Sequence, residues 1–310
     1  MIYITGATGH IGNNVAREMI KRQIPCELLV RRTGEAIKDL PVAIHIGDIF
    51  NVEFLNMHVK ECDTLIHVAG VIDLTKKQRN ESTYVNVEGT KLIADYCLNH
   101  QVHLVYVSSV DAINKPNNSD PIYEPSAFDL SKVKSHYAKS KAEGTAYILS
   151  LMNQGLLKGS VVYPSAVIGP DDYKPSAAGK EIIKAVNNRF LPYITGGYNF
   201  IDVRDTAKAI CEAAVRKVEG SFILSAHEKS IKEFYQTIGQ VTKRKKWMFW
   251  IPSIFARIGT LFLKDYTNVM IDAILENYHY VNKRMVEILN ITPIPFEQTV
   301  RDTINWFEKK

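Results

Sequence analysis

Tyr137-Ala138-Lys139-Ser140-Lys141 sets a phenol and an ammonium four residues apart within Ser131 to Met152, a run with a helical pattern. Side chains at that spacing share one helix face. A phenol titrates near pH 10 on its own, too high for proton transfer at neutral pH. An adjacent ammonium favours the phenolate and lowers that value, which suits a general acid that protonates a carbonyl oxygen. Of the 15 tyrosines in the chain, only Tyr137 is followed by lysine four positions on. Upstream, the strand-like run His103 to Ser108 leads into Ser109. A hydroxyl at the carboxyl end of a parallel strand faces the crevice where such sheets bind ligands. Ser109 is therefore expected to hydrogen-bond the substrate oxygen while Tyr137 delivers the proton, and Ser108 is expected to cap a turn. The plainer alternative is a surface helix pair and two capping serines.

A second constellation opens the chain. The strand-like Ile2 to Thr5 runs into Gly6-Ala7-Thr8-Gly9-His10-Ile11-Gly12 and then into the amphipathic stretch Asn13 to Lys21. Strand, glycine-rich turn and helix in that order form a pyrophosphate cradle. Gly6 permits the tight turn, Gly9 the approach of the anion, and Gly12 close helix packing, while helix amides hold the charge. The next strand-like run, Cys26 to Val30, ends in Arg31-Arg32, with no acid before Glu35. Sites for NAD place an acid there for the ribose hydroxyls, whereas guanidiniums suit the 2′-phosphate of NADP. NADP is the expected cofactor, with NAD as the alternative.

These groups need a parallel sheet to position them. Apolar runs at Ala43 to Ile46, Thr64 to Val68 and Gly159 to Tyr163 alternate with helical stretches such as Thr83 to Asn99. That pattern predicts an α/β, doubly wound Rossmann sheet with helices on both faces. Residues 1–168 form the expected dinucleotide-binding domain, rejoined by 200–225 through a helix at Asp205 to Glu219 and a strand at Ser221 to Leu224. Residues 169–199 and 226–310 form a smaller, mostly helical substrate lobe.

The composition is that of a soluble globular chain of 310 residues, 46% hydrophobic and 23% charged, with formal charge +5. The mild positive charge suits an anionic cofactor, and no stretch reads as a nucleic-acid footprint. Cys26, Cys62, Cys97 and Cys211 lie far apart, which argues against a disulfide scaffold or a metal site and for a reducing compartment. With no leader before the first strand, the expected location is cytoplasmic. Lys243-Arg244-Lys245-Lys246 precedes the apolar run Trp247 to Ala256, which is too short to span a bilayer. It suits a membrane surface, but the favoured reading is a lobe helix, started by Ser253 or Pro252 and packed over the active site.

Taken together, the glycine turn, Ser109 and Tyr137-x-x-x-Lys141 resemble the extended short-chain dehydrogenase/reductase family, within the NAD-dependent epimerase/dehydratase superfamily. Other segments are similar to family motifs: Gly47-Asp48-Ile49 near the adenine, His67-Val68-Ala69-Gly70 along the cofactor, and Asn86-Val87-Glu88-Gly89-Thr90. Tyr163 to Pro170 resembles the segment passing the nicotinamide, and Phe200 to Asp205 a late family marker. The resemblance implies that Ser109, Tyr137 and Lys141 are catalytic, with Lys141 also holding the nicotinamide ribose. It further implies that Asp48, Ile49, Ala69, Gly70, Asn86, Ser108, Pro164 and Val167 join Thr8, His10, Ile11 and the glycines around the cofactor.

Leu29-Val30-Arg31 and Ala69 to Asp73 are most similar to the dihydroflavonol-reductase and 3β-hydroxysteroid-dehydrogenase branch. The implied function is reduction of a carbonyl, or oxidation of the matching alcohol, of a small and lipophilic substrate, in a monomer or homodimer. Sugar-nucleotide dehydratases carry an Asp-Glu pair after the catalytic hydroxyl, where this chain has Val110-Asp111. The rival readings are an NAD-dependent sugar-nucleotide epimerase, disfavoured by Arg31 and Arg32, and a non-catalytic NADP-binding regulator, disfavoured by the retained tyrosine and lysine.

Overall fold

The computed structural model describes residues 1–60, 63–72, 79–116, 120–260, 267–276 and 278–309. Cys62, Asp73 and the end of the 243–264 stretch lie outside the described residues. The strands are β1 (Ile2–Thr5), β2 (Cys26–Val30), β3 (Ala43–Ile46), β4 (Thr64–His67), β5 (His103–Val107) and β6 (Gly159–Pro164), followed by β7 (Ala166–Ile168), β8 (Phe190–Tyr193), β9 (Gly197–Asp202), β10 (Gly220–Leu224), β11 (His227–Ser230) and β12 (Trp247–Trp250). Seven of them form one parallel sheet in the order β10-β6-β5-β4-β1-β2-β3.

Every residue of β1, β4, β5 and β6 is buried, as expected of strands covered on both faces. The chain order reverses between β1 and β4, and there the ligand crevice of such a sheet opens. A smaller sheet, β11-β9-β7, and the β12-β8 pair stand outside it.

The helices are α1 (His10–Lys21), α2 (Val52–His58), α3 (Arg79–Thr83), α4 (Thr90–Asn99), α5 (His136–Asn153) and α6 (Ala177–Asn187), then α7 (Val203–Val215), α8 (Ile231–Thr242), α9 (Ser253–Gly259), α10 (Asn268–Leu275), α11 (Lys283–Glu287) and α12 (Phe296–Glu308). Val15, Ala16 and Met19 of α1 join Ile210 and Ala213 of α7 in the core on one face of the main sheet. Ile93 and Cys97 of α4 and Ile148 and Leu149 of α5 fill the other. A third cluster, with Ile182, Phe234, Phe296 and Val300, draws on the stretches expected to form the substrate lobe.

Four local expectations change. The helix expected over Thr83 to Asn99 is interrupted by a π-helical turn at Tyr84–Gly89. Two neighbours crowd this turn. A Cβ at Gly89 would lie 2.3 Å from the Phe50 ring, and one at Gly144 of α5 would lie 2.3 Å from the carbonyl oxygen of Asn86. The helix expected from Ser131 starts at His136 instead, because Ser135 caps it by accepting from the amide of Ala138 at 3.0 Å. Residues 247–250, expected within a mostly helical stretch, are strand β12. Helix α9 does follow Pro252, but none of its residues is buried and none lines the cleft it was expected to cover.

Candidate active site

The crevice above β1, β4 and β5 is a cleft of about 2320 Å³ between the main sheet and the lobe. Its first wall is the β1–α1 turn, with Gly6, Thr8, Gly9, His10, Ile11 and Gly12. Gly6 has φ +71°, and a Cβ there would lie 2.6 Å from the amide nitrogen of Ala69. A Cβ at Gly12 would lie 2.3 Å from the carbonyl oxygen of Gly6. The turn therefore requires glycine at both positions. Gly9 is the N-cap of α1 and offers no side-chain cap, so no side chain claims the first-turn amides that line the cleft. A cradle of amides at the positive end of a helix dipole fits a pyrophosphate. The segment after β7 closes over this turn: the His10 ring bonds the carbonyl of Pro170 at 2.9 Å, and the Asn13 amide donates to the carbonyl of Asp171 at 3.1 Å.

Arg31 and Arg32 follow β2 directly, are exposed, and line the same cleft. Arg31 lies 3.9 Å from the Glu81 carboxylate, an exposed ion pair that contributes little. Ile49, Ala69, Gly70, Ser108, Pro164 and Val167 also form the wall. Asp48 does not; its carboxylate accepts from the amide of Phe50 at 3.0 Å on the exposed rim. Asn86 is fully buried behind the wall. Its side chain donates to Val71 O (2.9 Å), Ser140 Oγ (3.0 Å) and Ser82 Oγ (3.2 Å) and accepts from the amide of Val71 (2.9 Å). In this arrangement Asn86 locks the segment after β4 to α5.

The chemical groups meet where β5 ends. Ser109 caps the turn Val110–Ala112, with Oγ accepting from the amide of Asp111 at 3.1 Å, so its own proton is available to donate. The capping role expected of Ser108 thus falls to Ser109. The Ser108 hydroxyl instead bonds that of Thr145 on α5 at 2.7 Å. Lys141 is 4% exposed; its Nζ donates to the carbonyl oxygen of Val107 at 2.7 Å and lies 4.5 Å from the centre of the Tyr106 ring.

Burial pushes the Tyr137 phenol well above its ordinary value, and the nearby Asp111 carboxylate adds to the rise. A hydrogen bond with Ser109 pulls the other way. The sequence suggested that Lys141 would set this balance. The Lys141 ammonium also acts on His67: burial first, and then that ammonium, lower the imidazole to about 3. The phenol thus holds its proton at neutral pH, the state a proton donor needs.

Sequence reasoning missed a cluster of charges in the cleft. Lys115 lies 3.7 Å from Asp111 and 2.9 Å from Glu276 of the lobe, while Lys134 lies 3.4 Å from Glu276. Burial alone would lower the Lys115 ammonium, but Tyr280, Asp111 and Glu276 outweigh it and hold the value raised. Asp111 therefore interacts with both a lysine and the Tyr137 phenol. Lys115 and Glu276 are 161 residues apart, so no local spacing could have paired them.

Comparisons with known proteins identify the family and the fold. Residues 2–222 match the family model described as the NAD dependent epimerase/dehydratase family. The chain is 27% identical to a putative dihydroflavonol 4-reductase from Synechocystis sp., covering 99% of this chain and 94% of that protein. It is 25% identical to sterol demethylase protein B from Methylococcus capsulatus, covering 84% and 80% respectively. The crystal structure of gox2253 superposes with a TM-score of 0.87 at 25% identity, covering 100% of this chain and 98% of that one.

Proposed function

Because this chain belongs to the NAD dependent epimerase/dehydratase family and is an NAD(P)-dependent oxidoreductase, we propose that it reduces a carbonyl, or oxidises the matching alcohol, through Ser109, Tyr137 and Lys141, with NADP(H) as cofactor. The observation that carries this reading is the meeting of Ser109 and Tyr137 side chains in a cleft whose opposite wall is an uncapped glycine turn.

The turn from Gly6 to Gly12 would hold the pyrophosphate, and Arg31 and Arg32 the 2′-phosphate. When bound, the reduced dinucleotide supplies the hydride. Tyr137 gives its phenolic proton to the substrate oxygen, and Ser109, whose Oγ lone pair is taken by Asp111, donates a second hydrogen bond to that oxygen. Lys141, fixed on the Val107 carbonyl, holds α5 and so Tyr137 against the end of β5. Val110, buried beside Ser109, cannot serve as the acid that elimination of water needs.

Apolar wall residues such as Ile113, Phe234, Met270 and Ile274 favour a lipophilic substrate. The reductase name of the Synechocystis relative supports the reaction, and the sterol in the Methylococcus relative's name supports that substrate class. The buried free thiols of Cys26, Cys97 and Cys211 suit a reducing, cytoplasmic setting.

The test is NADPH consumption against a panel of ketones, aldehydes, steroids and sugar nucleotides. Turnover of an apolar ketone or aldehyde is expected. Hydride-neutral conversion of a sugar nucleotide, with no net NADPH loss on any carbonyl, would replace this reading by epimerisation.

A further inference from the structure

From Phe234 through Lys264 the sequence contains no aspartate or glutamate, while it contains Lys243, Arg244, Lys245, Lys246, Arg257 and Lys264. Many residues from Lys243 to Ile258 are exposed. Strands β8 and β12 pair in parallel with Phe190 beside Trp247 and Pro192 beside Phe249. Paired residues share a side of the sheet, and alternate residues turn the other way. Leu191 and Met248 accordingly pack into the lobe core. Phe190, Trp247 and Phe249 are left exposed by 66%, 51% and 48%. Trp250, which alternates with Phe249, is also exposed at the strand end, and α9 has exposed Ile254, Phe255 and Ile258. The cations sit at the edge of this face: Lys243, Arg244 and Lys245 are exposed, and the Lys245 ammonium lies 4.4 Å from the centre of a Trp247 ring.

So many exposed large apolar side chains within one short stretch mark a partner. Aromatic residues beside lysines and arginines suit the headgroup level of a bilayer, where the rings sink in and the cations meet lipid phosphates. No helix among the described residues is long and apolar enough to cross a membrane. A second copy of the chain fits poorly, because a two-fold contact would set this cationic face against itself.

We propose that the face formed by β8, β12 and α9 docks the protein onto the surface of an anionic lipid bilayer. The face is joined to the cleft. Arg257 of α9 pairs with Asp272 of α10 at 2.6 Å, and Asp272, Ala273 and Ile274 of α10 line the cleft wall. Docking would bring that wall close to the bilayer and so place the site within reach of substrates dissolved in lipid. The docking does not depend on the proposed reaction, and its test needs no turnover.

The full chain is floated with vesicles of phosphatidylcholine alone and of phosphatidylcholine with about one third phosphatidylglycerol. Two variants run beside it: Trp247→Ser with Phe249→Ser, and Lys243→Glu with Lys245→Glu. All four positions are exposed, and circular dichroism melting checks that both variants fold. The proposal expects binding to the anionic vesicles only, weakened by salt, and weakened on the order of tenfold or more by either variant. No binding to anionic vesicles, or binding unchanged in both variants, would overturn it. So would a dimer in vesicle-free solution that both variants dissociate, because the face would then be covered by a second copy.

Discussion

The ammonium of Lys141 donates a 2.7 Å hydrogen bond to the carbonyl oxygen of Val107, the last residue of β5. This contact fixes the proposed catalytic geometry from both sides. Ser109 lies two residues beyond Val107, and Tyr137 lies one helical turn before Lys141. A buried cation held on a strand-end carbonyl sets strand and helix in one register, and the hydroxyl and phenol meet as a result.

Arg31→Ala with Arg32→Ala should weaken NADPH binding by about tenfold or more, the scale of a lost charge-assisted hydrogen bond, and leave NADH binding unchanged. Titration of intrinsic tryptophan fluorescence with each cofactor measures both affinities. Equal losses for the two cofactors would remove the arginines from phosphate recognition.

Carbonyl reduction needs the protonated phenol, and burial with the Asp111 carboxylate raises the Tyr137 value, so the acid form persists as pH rises. The reduction rate should stay level through mildly alkaline pH. In Asp111→Asn the carboxylate's contribution is gone, and the alkaline decline should begin at lower pH. The pH–rate profiles of the two proteins check the direction; a decline unmoved or moved upward contradicts it.

Lys141→Met should raise the His67 value from about 3, since the ammonium is one of the two causes that lower it. The same variant should lose most turnover, because α5 is released from the end of β5. An NMR titration of the imidazole follows the first effect; an unmoved His67 would mean that burial acts without the lysine.

Two buried histidines also link stability to pH. Burial, with help from nearby cations, holds His67 at about 3 and His103 at about 4, while an unfolded histidine titrates near 6.5. Below about 6.5 the unfolded chain therefore takes up protons that the fold refuses. Stability falls as pH drops from there towards about 4, by up to about 1.4 kcal/mol per pH unit for each histidine. Urea melts across that range measure the slope, and His103→Gln should reduce it.

The strands of the main sheet and the glycine turn were legible because each is a local pattern: β1, β2 and β3 are short apolar runs whose ends were read to the residue. The tyrosine–lysine spacing belongs to the same class. What escaped reading depends on distant partners. Four residues at Trp247–Trp250 are too few for periodicity to separate strand from helix, and their partner strand begins at Phe190. The π-helical turn holding Asn86 depends on Phe50 and on α5, and the pairing of Lys115 with Glu276 exists only once the lobe has docked. The Lys141 bond to the Val107 carbonyl likewise joins α5 to β5, a pairing that spacing along one helix does not reveal.

The central claim is that the Tyr137 phenol delivers the proton. Steady-state turnover of Tyr137→Phe, measured with NADPH and the best carbonyl substrate, tests it most directly. The account predicts a loss on the order of a thousandfold in kcat with NADPH affinity essentially unchanged, the scale of a lost general acid. Turnover within a few-fold of the parent protein would contradict it.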